Sequence, residues 1–127
     1  MLRPIPGALL TDKMLLKVCT GLDVWQKAAW ETYEVNRVHL QTTNEVKKTK
    51  DNTEVVLRSV LFVDGTASLP RLDYMALTAQ SERAGKPMRC EVYNAAGQNC
   101  GFYEVVTVDI VPDVPAVRVH HVELGLV

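Results

Sequence analysis

Histidine, cysteine, serine and a run of lysines are the residues in this 127-residue chain that could do chemistry, and their spacing limits what they can do. His120 and His121 are adjacent, so on an extended strand their imidazoles point to opposite faces and do not converge on one ion. His39 has no carboxylate or cysteine at a metal-ligand spacing. Cys19, Cys90 and Cys100 are widely separated, with no C-x-x-C pair, and are expected to be reduced thiols. Ser59, Ser68 and Ser81 lack the G-x-S-x-G frame of an activated nucleophile. The glycines are scattered singly and build no phosphate-cradling loop, while Asp64-Gly65 has the composition of a turn. No catalytic residue, metal site or cofactor is therefore expected. Lys47, Lys48 and Lys50, with Arg58 beyond them, form the one local basic cluster, and a few such cations attract a nucleic-acid backbone only weakly and in a salt-sensitive way.

The elements that would position these groups are mostly strands. Lys13 to Thr20 reads as a first strand closed by the turn signal Thr20 to Asp23. Trp25 to Tyr33 allows one or two helical turns, with a strand expected over Thr32 to Thr42. Both Trp25 and Trp30 are read as core or cap aromatics. Glu45 to Thr53 looks like an exposed loop, and Glu54 to Val63 is rich enough in branched apolar residues to be the most buried strand. The stretch from 64 to 87 is expected as one long loop, with a short helix possible in composition over Tyr74 to Arg83. Met88 to Tyr93, Phe102 to Val111 and Arg118 to Val127 read as three further strands. The first pair is joined by a hairpin turn, and the second is interrupted by Pro112 and Pro115.

This pattern predicts a mainly β fold, a small β-barrel of about six strands with one long loop and one or two short helical turns. It fits one domain over 1–127, opened by an extended arm over 1–11 in which Pro4 and Pro6 disfavour helix. A hydrophobic content of 47% with 23% charged residues argues against general disorder, and a net charge of -1 gives no overall reason to bind nucleic acid or an acidic membrane. No apolar run reaches the ~20 residues of a membrane span, and the first residues do not form a signal peptide, so export is not expected.

Several segments carry a resemblance. Leu2-Arg3-Pro4-Ile5-Pro6 with Leu9-Leu10, a tryptophan-containing loop, and a Val38-His39-Leu40-Gln41 strand are followed by Ser59-Val60-Leu61-Phe62-Val63-Asp64, Ser68-Leu69-Pro70 and the closing His120 to Val127. In this order they resemble the minor capsid, or head-completion, proteins of tailed bacteriophages. Val122 stands where that family has an aromatic, Gly125 offers no side chain to the terminal alternation, and Ala84 to Pro87 replaces a glycine-rich turn.

The resemblance implies a head-closure, or stopper, protein of the virion neck, assembled in the host cytoplasm. Such a protein forms a homo-oligomeric ring between the portal with its adaptor and the tail terminator or tail tube. Double-stranded DNA would pass through the ring without sequence-specific contact. On that expectation Lys47, Lys48, Lys50 and Arg58, or alternatively the loop from Gly65 to Arg83, face the channel. Leu2, Arg3, Pro4, Ile5, Pro6, Leu9, Leu10, His120, His121 and Glu123 make contacts between subunits or rings. A tail terminator or other head-tail joining protein is the alternative within the virion. A small barrel binding single-stranded nucleic acid, which would need aromatic platforms on one sheet face, and a small enzyme with a scattered site are the alternatives of other classes.

Overall fold

The first strand shows how the sheet is built. Met14, Leu16 and Val18 alternate with Lys13, Leu15 and Lys17, so an extended chain sends the first three to one face, where they are fully buried. In the computed structural model, which describes residues 7–49, 51–113 and 118–127, this strand is β1, Asp12–Leu22. A tight turn leads into β2, Ala28–Thr42. A two-stranded hairpin follows, β3, Val46–Lys48, paired antiparallel with β4, Glu54–Val56. Next come β5, Ser59–Asp64, the helix α1, Tyr74–Ala84, and the strands β6, Arg89–Tyr93, β7, Asn99–Asp113, and β8, Arg118–Leu126. Six of the strands hydrogen-bond in the order β1-β2-β5-β8-β7-β6, and β6 pairs back onto β1, so the sheet closes on itself.

Closure depends on β2 serving two neighbours. Its first part pairs with β1 and its last residues, Val38 to Thr42, pair with β5. Between them Arg37 is an extra residue: Lys13 lies opposite Asn36, Asp12 opposite Val38, and Arg37 adopts φ 61°. This bulge resets the alternation, so Val35 and Val38, three apart and otherwise on opposite faces, both enter the core. The bend is held from outside the strand. Ser68, 1% exposed, donates its hydroxyl proton to the Arg37 carbonyl and accepts from the Asp64 amide at 2.8 Å, and the Asn36 amide donates to the Leu69 carbonyl at 2.9 Å.

The helix is fixed by the same device. Asp73 caps its amino terminus by accepting from the Ala76 amide, and Tyr74, Leu77 and Ser81 fall on one face at helical spacing. Ser81, fully buried, accepts from the Cys19 amide at 2.9 Å and donates to the Lys86 carbonyl at 2.7 Å, tying α1 to β1. Gly85 ends the helix at φ 121° directly against Leu22, where any Cβ would lie 2.6 Å from a leucine methyl.

Several expectations are corrected. Glu54 to Val63 is two strands, because Leu57, 1% exposed, turns into the interior between the hairpin and β5. Glu45 to Thr53 is no open loop but most of that hairpin, with Val46 opposite Val56. The helical turns allowed over Trp25 to Tyr33 are absent, since Asp23 closes a turn there and β2 starts at Ala28. The 64–87 stretch is organised by an 11-residue helix. Strand β7 runs through Pro112, absorbing it with a register shift after Val111. Of the expected extended arm, Met1 to Pro6 lie outside the described residues, Gly7–Leu9 form a 3-10 turn, and Leu10 is buried against its own sheet.

Gly125 does not weaken the last strand. A Cβ there would sit 2.1 Å from the Thr107 hydroxyl oxygen and 3.0 Å from a Leu57 methyl, so the missing side chain makes room for both. Gly125→Ala should therefore lower unfolding free energy by about 2 kcal/mol through overpacking. Ser68→Ala should lower it by a similar ~2 kcal/mol, since it strands the Arg37 carbonyl and the Asp64 amide. Urea titration of both variants checks these values, and a change below about 0.5 kcal/mol in either would contradict the packing described.

Candidate functional site

The basic cluster is divided by the fold. Lys47 lies on β3 with its ammonium 3.4 Å from Asp109 of β7 and 3.6 Å from Glu45. The Asp109 charge beside it raises the Lys47 pKa above the ordinary lysine value. Lys48 is exposed on the same hairpin, and Lys50 lies outside the described residues. Arg58 is directed elsewhere: its guanidinium donates to the Phe102 carbonyl at 2.9 Å and stacks 4.7 Å over the Tyr103 ring. On the hairpin the cross-strand pair Val46 and Val56 is exposed at 56% and 60%, leaving an apolar spot with no covering element among the described residues.

The paired histidines do not diverge as an ideal strand requires. Val111 lies opposite His121 but Pro112 opposite Val119, so His120 is a bulged residue, and the two imidazoles meet with their Nδ1 atoms 2.7 Å apart. As a hydrogen bond this contact has one nitrogen donating and the other accepting. His121 also contacts Glu123 through Nε2 at 3.1 Å, and Phe62 lies about 6 Å from both His121 and His39. Among the described residues no three His, Cys, Asp or Glu side chains are grouped as metal ligands. Of the expected contact residues, Leu9 is 49% exposed and Leu10 only 4%. Leu2, Arg3, Pro4, Ile5 and Pro6 lie outside the described residues.

A cleft of ≈ 730 Å³ opens where β5 runs into α1. Asp64 is among its lining residues, and the carboxylate accepts from the Thr66 and Ala67 amides as a turn residue should. Val63, Leu72, Ile110, Val119 and Val122 supply an apolar wall. Tyr74 also lines it, 3% exposed, and its hydroxyl has no hydrogen-bond partner among the described residues. Burial pushes the Tyr74 phenol well up.

Elsewhere the outer face is knitted together. Lys17 donates to Glu91 at 2.7 Å, Tyr93 donates its hydroxyl proton to the same carboxylate at 2.7 Å, and Arg89 stacks over Trp30 at 4.9 Å. Trp30 is thus a surface stacking partner rather than a core residue. Trp25 is not a core residue either: it is 84% exposed, beside Val24 at 86%. Their turn is held rigidly by Asp23, whose carboxylate accepts from the Trp25 and Lys27 amides at 2.8 and 2.9 Å. Phe102 and Trp30 do share a groove with basic residues, but Glu91 and Glu104 stand in it as well, which opposes a polyanion. Cys19 and Cys90 are buried and Cys100 exposed, all three as free thiols, and burial pushes the Cys90 thiol up to about 12.

Sequence reasoning missed the Trp25 turn and the cleft. The Asp23-x-Trp25-x-Lys27 spacing carried a turn signal, whereas the cleft is assembled from segments far apart in the chain. No protein-family model, curated protein or solved structure matches the chain.

The Lys17 contact, and secondarily the Tyr93 hydrogen bond, hold Glu91 below the ordinary carboxylate value of 4.5. A depressed folded-state pKa contributes stability that is present above 4.5 and lost as pH falls through the lower folded value. Unfolding free energy should therefore decline below that pH, and Lys17→Met should flatten the decline while costing about 1 kcal/mol at pH 7. Thermal melts of both proteins across the acid range measure it, and parallel curves would sink the assignment to Glu91.

Proposed function

We propose that this chain is a structural component of the tailed-phage virion neck. It acts as a head-closure protein whose copies form a multimeric ring between the portal with its adaptor and the tail, around the DNA channel. The observation that carries this reading is where the resembling segments fall. Ser59 to Asp64 is β5 and His120 to Val127 covers most of β8, and the two are hydrogen-bonded neighbours, from Ser59 opposite Leu126 to Asp64 opposite His121. Ser68, from the intervening segment, is the residue that locks β5 to the bend of β2. These segments, apart in sequence, are therefore neighbours in one sheet.

A closed sheet also suits this role. With no open edge among its six ring strands, it offers a rigid body whose projecting parts, the β3–β4 hairpin and the Trp25 turn, are free for contacts. The DNA-facing role narrows to the hairpin, where Lys48 is exposed and Lys47 is already shared with Asp109. Arg58, stacked on Tyr103, serves the sheet instead.

Electron microscopy and light scattering of the purified chain, alone and with portal and tail components, test the proposal. A ring, or ring formation on a portal, is the expected outcome. A persistent monomer that binds neither component overturns it. Replacing Lys47, Lys48 and Lys50 together by alanine should leave assembly intact and increase DNA leakage from filled heads, and unchanged retention would remove the hairpin from the channel.

A further inference from the structure

We propose that the contact between His120 and His121 is a proton-operated latch on the start of β8, closed while one of the two facing nitrogens lacks a proton and released by acidification. The inference is independent of the proposed function.

Two Nδ1 atoms 2.7 Å apart can share one proton but not two. When both rings are neutral, the Nδ1–H of one donates to the lone pair of the other. A first proton taken from solvent is placed by the surroundings. Nε2 of His121 lies 3.1 Å from the Glu123 carboxylate, so His121 becomes the charged ring, donating Nε2–H to Glu123 and Nδ1–H to His120, whose own proton stays on Nε2. A second proton has to go to Nδ1 of His120. Two N–H groups on two positive rings then face each other with no acceptor between them, and the rings part. The unfolded chain takes both protons without that conflict, so the latch weakens as pH falls.

The other charges on the packed elements have their own engagements. From β5, Asp64 stands opposite His121, but its carboxylate accepts from the Thr66 and Ala67 amides, and Phe62 presents a ring 6.0 Å from that of His121. His39 of β2 lies beyond Phe62. From β7, Val111 stands opposite His121, and Asp109, opposite Glu123, is held by Lys47 of the hairpin, which also reaches Glu45. Arg71, on the connection after β5, donates to the Thr66 carbonyl, and Asp113 and Arg118 pair at the far end of the β7–β8 ladder.

The latch sits where the ladder is lightly supported. His120 is the bulged residue, and Pro112, at the register shift, has no N–H to give. The Gly65 amide donates to the His120 carbonyl at 2.9 Å, and Gly65 approaches so closely that a Cβ there would collide with the Val119 carbonyl. Gly65 and Val119 both line the cleft beside α1. Release therefore loosens this end of β8 and the adjoining side of the cleft. The opposite end of the strand, where the Arg58 amide donates to the Leu126 carbonyl at 2.8 Å, stays paired.

Amide hydrogen exchange of the full chain, followed by NMR from about pH 8 to about pH 5, the range in which imidazoles gain charge, tests the latch. The protection factor of the Gly65 amide should fall at least about tenfold toward the acid end while that of the Arg58 amide holds. His120→Asn sets a carboxamide in place of the imidazole Nδ1, able to accept from His121 at any pH, so the fall at Gly65 should vanish in that variant. His39→Asn should respond like wild type. Should His120→Asn fail to fold by circular dichroism, His121→Asn replaces it, since a carboxamide facing His120 can donate or accept whatever the state of that ring. Protection at Gly65 that does not change with pH overturns the proposal, as does an equal fall at Arg58, which would mean global unfolding. A fall that survives the Asn variant at the pair, or that disappears in His39→Asn, overturns it too.

Discussion

The fold depends on a single backbone position held in an unfavourable conformation. Arg37 bulges out of β2 at φ 61°, and the bend it makes lets one strand pair with β1 on one stretch and β5 on the next. Without it Val35 and Val38 would face opposite sides, and the core would lose one of them to solvent. The Ser68 hydroxyl offsets the cost by satisfying the carbonyl of the bulged residue and the amide at the end of β5. A hydroxyl from the connecting segment thus does for the bend what Ser81 does for the helix. Both are buried serines bonded on both sides, and their neighbours in sequence give no sign of that role.

The parts of the fold governed by local alternation were legible in the sequence. Met14, Leu16 and Val18 announce β1, the apolar density from Ser59 to Val63 announces β5, and the Asn94 to Gln98 composition announces the turn before β7. What alternation does not encode was missed. The β3 side of the hairpin and its turn are mostly polar, with Val46 the one apolar residue from Glu45 to Thr53, so nothing in their pattern distinguishes a paired ribbon from a loop. Gly125 looked like a defect because the atoms that need its space, the Thr107 hydroxyl and the Leu57 methyls, come from other strands. The histidine pair was misjudged for a related reason, since a bulge at His120 is set by how β7 absorbs Pro112 and not by the histidines themselves.

Charge and aromatic residues are distributed with a consistent logic. Several such groups on or beside the ring strands have local partners: Lys17 with Glu91, Arg89 with Trp30, Arg58 with Tyr103, Lys13 with Glu34. The most exposed apolar side chains among the described residues are Val24 and Trp25 on one turn, and Val46 and Val56 on the hairpin are exposed as well, as is Phe102 on β7. The candidate functional site was consequently hard to see from sequence. Its residues are unexceptional in type and are distinguished only by what the fold leaves uncovered.

Closure of the sheet has a kinetic consequence as well. The pairing of Lys13 with Tyr93 joins β1 to β6 across most of the chain, and Ser59 with Leu126 joins β5 to the last strand. Such contacts repay the entropy of closing long loops only late, so folding should be slow and strongly cooperative, with few partly ordered species of lower free energy on the way. During that interval the apolar faces of β5 and β8 stand open to other chains. A chain of this topology therefore gains from completing its own circuit of strands before it meets other chains.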